Sequence, residues 1–349
     1  MNTSARGAFS NPKNRFERLE YIPDPPDPLD DEQPLPRTQF LRDASQSILT
    51  HNDSPDIPFT WSLNPYRGCE HGCAYCFARP THEYLGFSAG LDFETRIMVK
   101  ERAPELLRAE LASPRWKPQP IALSGVTDCY QPIERRLGLT RRCVAVLAEF
   151  RNPVSVITKN HLVTRDIDLY RELAAHHAVR IHISITTLDA ALAKKLEPRA
   201  SPPLRRLKAV EQLASAGIPV SIIMAPCIPG LNDHEMLNIF TAAAKAGAYD
   251  AGFTPLRLPG AVAGIFSSWL DSHFPDRKEK ILNRVREMRG GRLNDPRFGS
   301  RMRGAGFYAE QMSAMYQVAR KAAGFTKSPF LSDLSAAAFR DPRGQMQLL

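Results

Sequence analysis

Asn64-Pro-Tyr-Arg-Gly-Cys69-Glu-His-Gly-Cys73-Ala-Tyr-Cys76 is the stretch on which the reading of this chain turns. Three of the six cysteines of the chain fall in it, in a C-x3-C-x2-C spacing. Thiols this close are spaced to converge on one metal centre, and Gly68 and Gly72 let the backbone wind tightly around it. Structural zinc asks for four ligands, and His71 or His82 are the residues that would complete a Cys3His set. Zinc sites, however, usually pair one C-x2-C with a second pair further along the chain. Three thiolates without an obvious fourth fit better a [4Fe–4S] cluster with one iron left open. Three merely structural cysteines are the plainer alternative, and their crowding argues against it.

Working outward, short apolar strands alternate with helical segments from Phe59 to Gly260. The strands are expected at Phe59–Asn64, Ile121–Thr127, Val154–Lys159, Val179–Thr186, Val220–Ala225 and Ala251–Leu256. Ser201-Pro202 opens a helix with Leu204, Leu207, Val210 and Ala214 inward, closed by Gly217. Asn232 or Asp233 starts another, with Met236, Leu237 and Phe240 inward, ending at Gly247. Six strand–helix alternations predict a parallel α/β architecture, either a doubly wound sheet or a partial β/α barrel. Polar residues collect after the strands. The second runs into Ser124-Gly-Val-Thr127-Asp128-Cys129-Tyr130, and the third into Lys159-Asn160. In the fourth, alternation sets His182, Ser184 and Thr186 on one face and isoleucines on the other, which predicts a wet interior.

The cysteine loop, with aromatic Tyr75 before its last thiol, resembles that of the radical S-adenosylmethionine (SAM) enzymes. The resemblance implies that Cys69, Cys73 and Cys76 hold three irons of a [4Fe–4S] cluster and that SAM chelates the fourth. It implies cleavage of SAM to methionine and a 5′-deoxyadenosyl radical, which takes a hydrogen from the substrate. A reductant such as a flavodoxin or ferredoxin, and a partial (β/α)6 barrel, come with it. More narrowly, the chain resembles the branch related to spore photoproduct lyase. By that resemblance Tyr75, Thr127, Asp128, Lys159 and Ser184 are the SAM-binding candidates. Lys159 would pair with the SAM carboxylate, and the hydroxyls would hold ribose or carboxylate oxygens. The lyases carry a hydrogen-returning cysteine where this chain has Gly125, so thymine-dimer repair is not expected. Cys129 with Tyr130 is a candidate relocated donor pair; a small residue at a strand–helix junction is the simpler account of Cys129.

Composition sets the frame. The chain has 349 residues, 43% hydrophobic and 24% charged, which is globular chemistry. No apolar run approaches the ~20 residues of a membrane span, and the N-terminus lacks a secretory apolar core. Few cysteines and no leader predict a cytoplasmic protein. Residues 1–57 carry eight prolines and six basic against ten acidic residues, so they read as an extended arm without strand or helix period, partly disordered or wrapped over the main domain. The domain plan is therefore an arm (1–57), a partial barrel (58–260) and a basic helical region with a tail (261–349). Formal charge is +9, and Arg277–Arg303 alone holds ten basic and three acidic residues. With Phe298, Phe307 and Tyr308 interleaved, that stretch is a candidate nucleic-acid surface. A non-catalytic iron–sulfur or zinc protein binding nucleic acid is accordingly the alternative function.

Overall fold

The computed structural model describes residues 6–17, 37–325 and 334–343. Ten strands are formed: β1 Gln39–Arg42, β2 Leu49–His51, β3 Trp61–Leu63, β4 Tyr66–Arg67, β5 Arg96–Val99, β6 Ile121–Leu123, β7 Val154–Thr158, β8 Val179–Ser184, β9 Val220–Cys227 and β10 Asp250–Pro255. The main sheet has the order β10-β9-β8-β7-β6-β3-β2. Its six strands from β3 to β10 pair in parallel with their neighbours in sequence, Trp61 opposite Ile121 and His182 opposite Ser221. A helix or helical pair lies between successive strands, as right-handed parallel crossovers require. This is a partial (β/α)6 barrel, and each of the six expected strands is one of its staves. Helices Val262–His273, Lys278–Met288 and Phe307–Ala322 form the C-terminal region.

The structure departs from the sequence reading at several points. Residues 1–57 contribute β2, antiparallel to β3 at the sheet edge, and β1, parallel to β5 in a small second sheet. The acidic run at 24–36 lies outside the described residues. Helix Pro203–Ser215 buries Arg206, Ala209, Val210 and Leu213, whereas Leu204 is 77% exposed. In helix Met236–Lys245, Ile239 and Ala243 join Met236 and Phe240 inside, and Leu237 is exposed. The polar row of β8 is not water-lined: His182 is buried, with Nδ1 2.6 Å from Ser221 Oγ and Nε2 3.1 Å from Ser155 Oγ. Both ring nitrogens are satisfied by neighbouring strands, which removes the need for water.

The two sheet edges, β2 and β10, are joined by the segment 297–303. Asp56, just beyond β2, accepts from the Gly299 amide at 2.6 Å and from Arg301 Nε at 2.6 Å. On the other side Arg289 donates to the Arg301 carbonyl at 2.7 Å and to the Leu256 carbonyl, just beyond β10, at 2.9 Å. Among the described residues no helix is long and apolar enough to cross a membrane.

Candidate active site

Strand β3 delivers the chain directly into the cysteine loop, across the C-terminal ends of the parallel strands where barrel chemistry collects. Gly68 and Gly72 take positive φ, 80° and 68°, and a Cβ on Gly68 would lie 2.9 Å from the Phe93 carbonyl oxygen. Only glycine turns the chain there without strain. The loop is held by its backbone: the Cys69 amide donates to Phe93 O at 2.9 Å and the Ala74 amide to Leu196 O at 3.1 Å. Glu70 accepts from the Ile133 amide at 2.8 Å and from Arg199 at 2.9 Å.

Two fully buried arginines grip the loop from opposite sides. Arg79 donates twice to the Cys73 carbonyl, from Nε at 3.0 Å and Nη2 at 2.8 Å, and pairs with Glu94. Glu94 also accepts from the Gly7 and Ala8 amides, at 3.1 and 2.8 Å, so the N-terminal segment is strapped against the loop. Arg206 pairs with Glu197 and donates to the Ser184 carbonyl at 2.9 Å. Glu197 accepts from the Tyr75 hydroxyl and, at 2.8 Å, from Thr186. These carboxylates and guanidiniums are far apart in sequence, and spacing alone gave no sign of them. The available signal was a charged residue, Arg206, on the packed face of an amphipathic helix.

All six cysteines are free thiols; in the loop Cys69 and Cys73 are buried and Cys76 is half-buried. Burial pushes the Cys69 thiol well up, and Asp128, Cys73 and Cys76 add to it, so the three sulfurs share one electrostatic neighbourhood. Beside them Lys159 has its ammonium 5.8 Å from the centre of the Tyr75 ring. Desolvation works against its charge, but the neighbouring Cys73 and Glu197 side chains outweigh it and hold its pKa above the ordinary range. Asp128 is buried and accepts from the Lys159 amide at 2.8 Å, from Thr158 at 2.7 Å and from the Tyr130 amide at 2.9 Å. His71 Nδ1 lies 3.3 Å away. Burial works against the carboxylate, yet His71 and these donors draw its pKa down to about 2. Thr127 donates to the Gly68 carbonyl at 2.5 Å, and Ser184 to the Ala225 carbonyl at 3.3 Å.

Cys129 and Tyr130 have a different neighbourhood. Both are fully buried in the main apolar core. The Tyr130 hydroxyl lies 2.9 Å from Asp166 and 2.5 Å from the Tyr170 hydroxyl, and Thr140 donates to the Cys129 carbonyl at 2.6 Å.

His71 uses its ring nitrogens on Asp128 and on Asn160, 3.2 Å away, and His82 faces the Arg96 carbonyl at 3.0 Å. Neither completes a Cys3His set, and no three His, Cys, Asp or Glu side chains among the described residues gather as ligands of one ion. Three cysteines on one short glycine-hinged loop are the donor chemistry that an iron–sulfur cluster takes.

The Radical SAM superfamily model matches residues 63–243, more than half of the chain. The chain belongs to the radical SAM superfamily. It is 36% identical over 234 residues to an uncharacterised protein of Mycobacterium bovis, covering 66% of this chain and 68% of that one. An uncharacterised protein of Methanocaldococcus jannaschii is 28% identical over 223 residues, covering 64% and 80%. Among solved structures, spore photoproduct lyase complexed with dinucleoside spore photoproduct superposes with a TM-score of 0.59 at 15% identity, covering 82% of this chain and 79% of that one. The likeness to the lyase is one of fold. Membership of the superfamily makes this radical SAM protein an enzyme and implies SAM and iron–sulfur chemistry in general.

Proposed function

We propose that this radical SAM enzyme carries a [4Fe–4S] cluster on Cys69, Cys73 and Cys76 and binds SAM beside it. The observation that carries the reading is a loop with three free cysteines, two buried and one half-buried, whose Cys73 and Tyr75 lie against the Lys159 ammonium in a radical SAM fold. When bound, the cluster and SAM supply reductive cleavage to methionine and a 5′-deoxyadenosyl radical able to abstract hydrogen.

The residues of the chain do the positioning. Lys159 offers a charge-assisted partner for the SAM carboxylate, held in place by its amide on Asp128. Asp128 braces the strand ends, joining the ends of β6 and β7 through Thr158 and Lys159. Thr127 ties the end of β6 to the cysteine loop through Gly68. Glu197 fixes the Tyr75 ring and balances Arg206, which in turn holds the Ser184 carbonyl. Cys129, packed in the apolar core, takes no part in the chemistry in this reading.

The test is anaerobic reconstitution with iron and sulfide, followed by low-temperature electron paramagnetic resonance of the reduced protein with and without SAM. Wild type is expected to load a [4Fe–4S] cluster whose signal changes on adding SAM, and Cys73→Ala to load none. A full cluster on Cys73→Ala, or a wild-type signal indifferent to SAM, overturns the proposal.

A further inference from the structure

Ten basic residues lie between Arg277 and Arg303, but folding consumes much of their charge. Lys278 pairs with Asp271 at 2.7 Å, Arg297 with Asp295 at 3.0 Å and Arg301 with Asp56 at 2.6 Å. Arg289 is buried among backbone carbonyls. The stretch is therefore not a continuous cationic face.

The cation that stands out is outside it. Arg257 follows β10 at the mouth of the barrel, half-buried, with its guanidinium 5.6 Å from the centre of the Phe77 ring. Phe77 directly follows Cys76 and is 50% exposed. Among the described residues, the Nη1 of Arg257 donates to the Met302 thioether at 2.9 Å, and its buried Nε has no hydrogen-bond partner. The carboxylate nearest in charge, Asp56, is taken by Arg301 and the Gly299 amide. A guanidinium carries five donors in a fork suited to oxoanions, and leaving them on a thioether wastes most of that capacity. Arg301 stacks 4.5 Å from the centre of Phe298, which is 62% exposed, on the same bridging segment. Two guanidinium–aromatic pairs thus flank the open side of the barrel, one of them beginning at the cysteine loop itself.

We propose that Arg257 and Phe77, with Arg301 and Phe298 beside them, form an anchoring subsite for single-stranded nucleic acid, a backbone phosphate on Arg257 and an unstacked base against Phe77. This rests on the proposed function, whose substrate it names. An oxoanion matches the unused fork, and alternating charge with exposed rings matches a strand of phosphates and bases. Because the rest of the basic stretch is internally paired, the contact is short. With one phosphate engaged on Arg257, Arg301 being paired with Asp56, the log–log dependence of affinity on salt should have a slope of about −0.7.

The test is anaerobic fluorescence-anisotropy titration of cluster-free, full-length protein with labelled oligothymidylate, competed by inorganic phosphate, duplex DNA and polyglutamate. Expected results are binding of the single strand with that shallow slope and at least a tenfold loss in Arg257→Gln and in Phe77→Ala. Arg257→Lys should be intermediate, Lys280→Gln and Arg292→Gln should bind like wild type, and circular dichroism of all variants should match wild type. No binding, equal competition by polyglutamate, or binding lost in Lys280→Gln and Arg292→Gln but kept in Arg257→Gln, each overturns the subsite. Cluster loading is scored separately on the same proteins. A wild type that loads and responds to SAM without binding the strand refutes the subsite alone; one that binds through Arg257 but never loads refutes the proposed function alone.

Discussion

Arg79 and Arg206 are among the largest side chains shut off from solvent in this enzyme, and each carries a charge into the wall of the candidate site. A buried guanidinium is tolerable only when its donors and its charge are all met, and Glu94 and Glu197 meet them. Removing one partner leaves the other charge stranded, so Glu94→Gln and Glu197→Gln should each cost about 3–5 kcal/mol in chemical denaturation. Two buried histidines give the molecule an acid sensitivity. Burial lowers His82 to about 4 and His182 to about 3, from 6.5. Below pH 6.5 the unfolded chain takes up these protons while the folded chain does not, so the stability is full above 6.5 and falls as pH drops towards 4. Replacing His182 with Gln should remove about 1.4 kcal/mol per pH unit from that fall, measured by denaturation between pH 6 and 5. An unchanged pH profile would mean that His182 is not held neutral.

Among the elements, the parallel strands were legible because both faces are covered, leaving mainly apolar runs such as Ile121–Leu123 between turn residues. Their ends were overestimated where the chain leaves the ladder early. After Leu123, Ser124 takes φ 81° and Asn64 captures the Gly125 and Val126 amides. Strands β1 and β2 were illegible for another reason: they are four and three residues long and pair through backbone groups that composition does not reveal. The helix Pro203–Ser215 shows how a buried charge misleads pattern reading. Scored as polar, Arg206 pushes the apparent inner face round to Leu204, when in fact Glu197 draws Arg206 inside. The cysteine loop was legible from spacing, but its strap was not. Gly7 sits so close that a Cβ would lie 1.7 Å from the Gly72 carbonyl oxygen. Gly7→Ala should therefore speed hydrogen exchange at Cys73 and Ala74 in the cluster-free protein, read by mass spectrometry. By contrast, a Cβ on Gly125 meets Ser62 at 3.6 Å and Asn64 at 3.9 Å, ordinary contacts, and Gly125→Ala should change stability by less than ~1 kcal/mol.

At the scale of the whole molecule, the barrel is open between β2 and β10, and the segment 297–303 spans that gap. Under the proposed function, a radical formed inside would have to be kept from solvent yet meet a substrate arriving from outside, and an opening bridged by side-chain contacts suits both needs. The charge of the chain serves this closure: Arg289 and Arg301, part of a basic stretch that composition alone reads as surface, fasten the bridge to the two sheet edges. The three thiols, Lys159 and the paired carboxylates then lie at the strand ends behind it. The central claim is that this site cleaves SAM. Its most direct measurement is quantification of 5′-deoxyadenosine by liquid chromatography after mixing reconstituted enzyme with SAM and a strong reductant under anaerobic conditions. Wild type should form it with time, Lys159→Ala should form it at least tenfold more slowly at low SAM, and Cys73→Ala should form none. A fully loaded wild-type cluster that yields no 5′-deoxyadenosine would contradict the account.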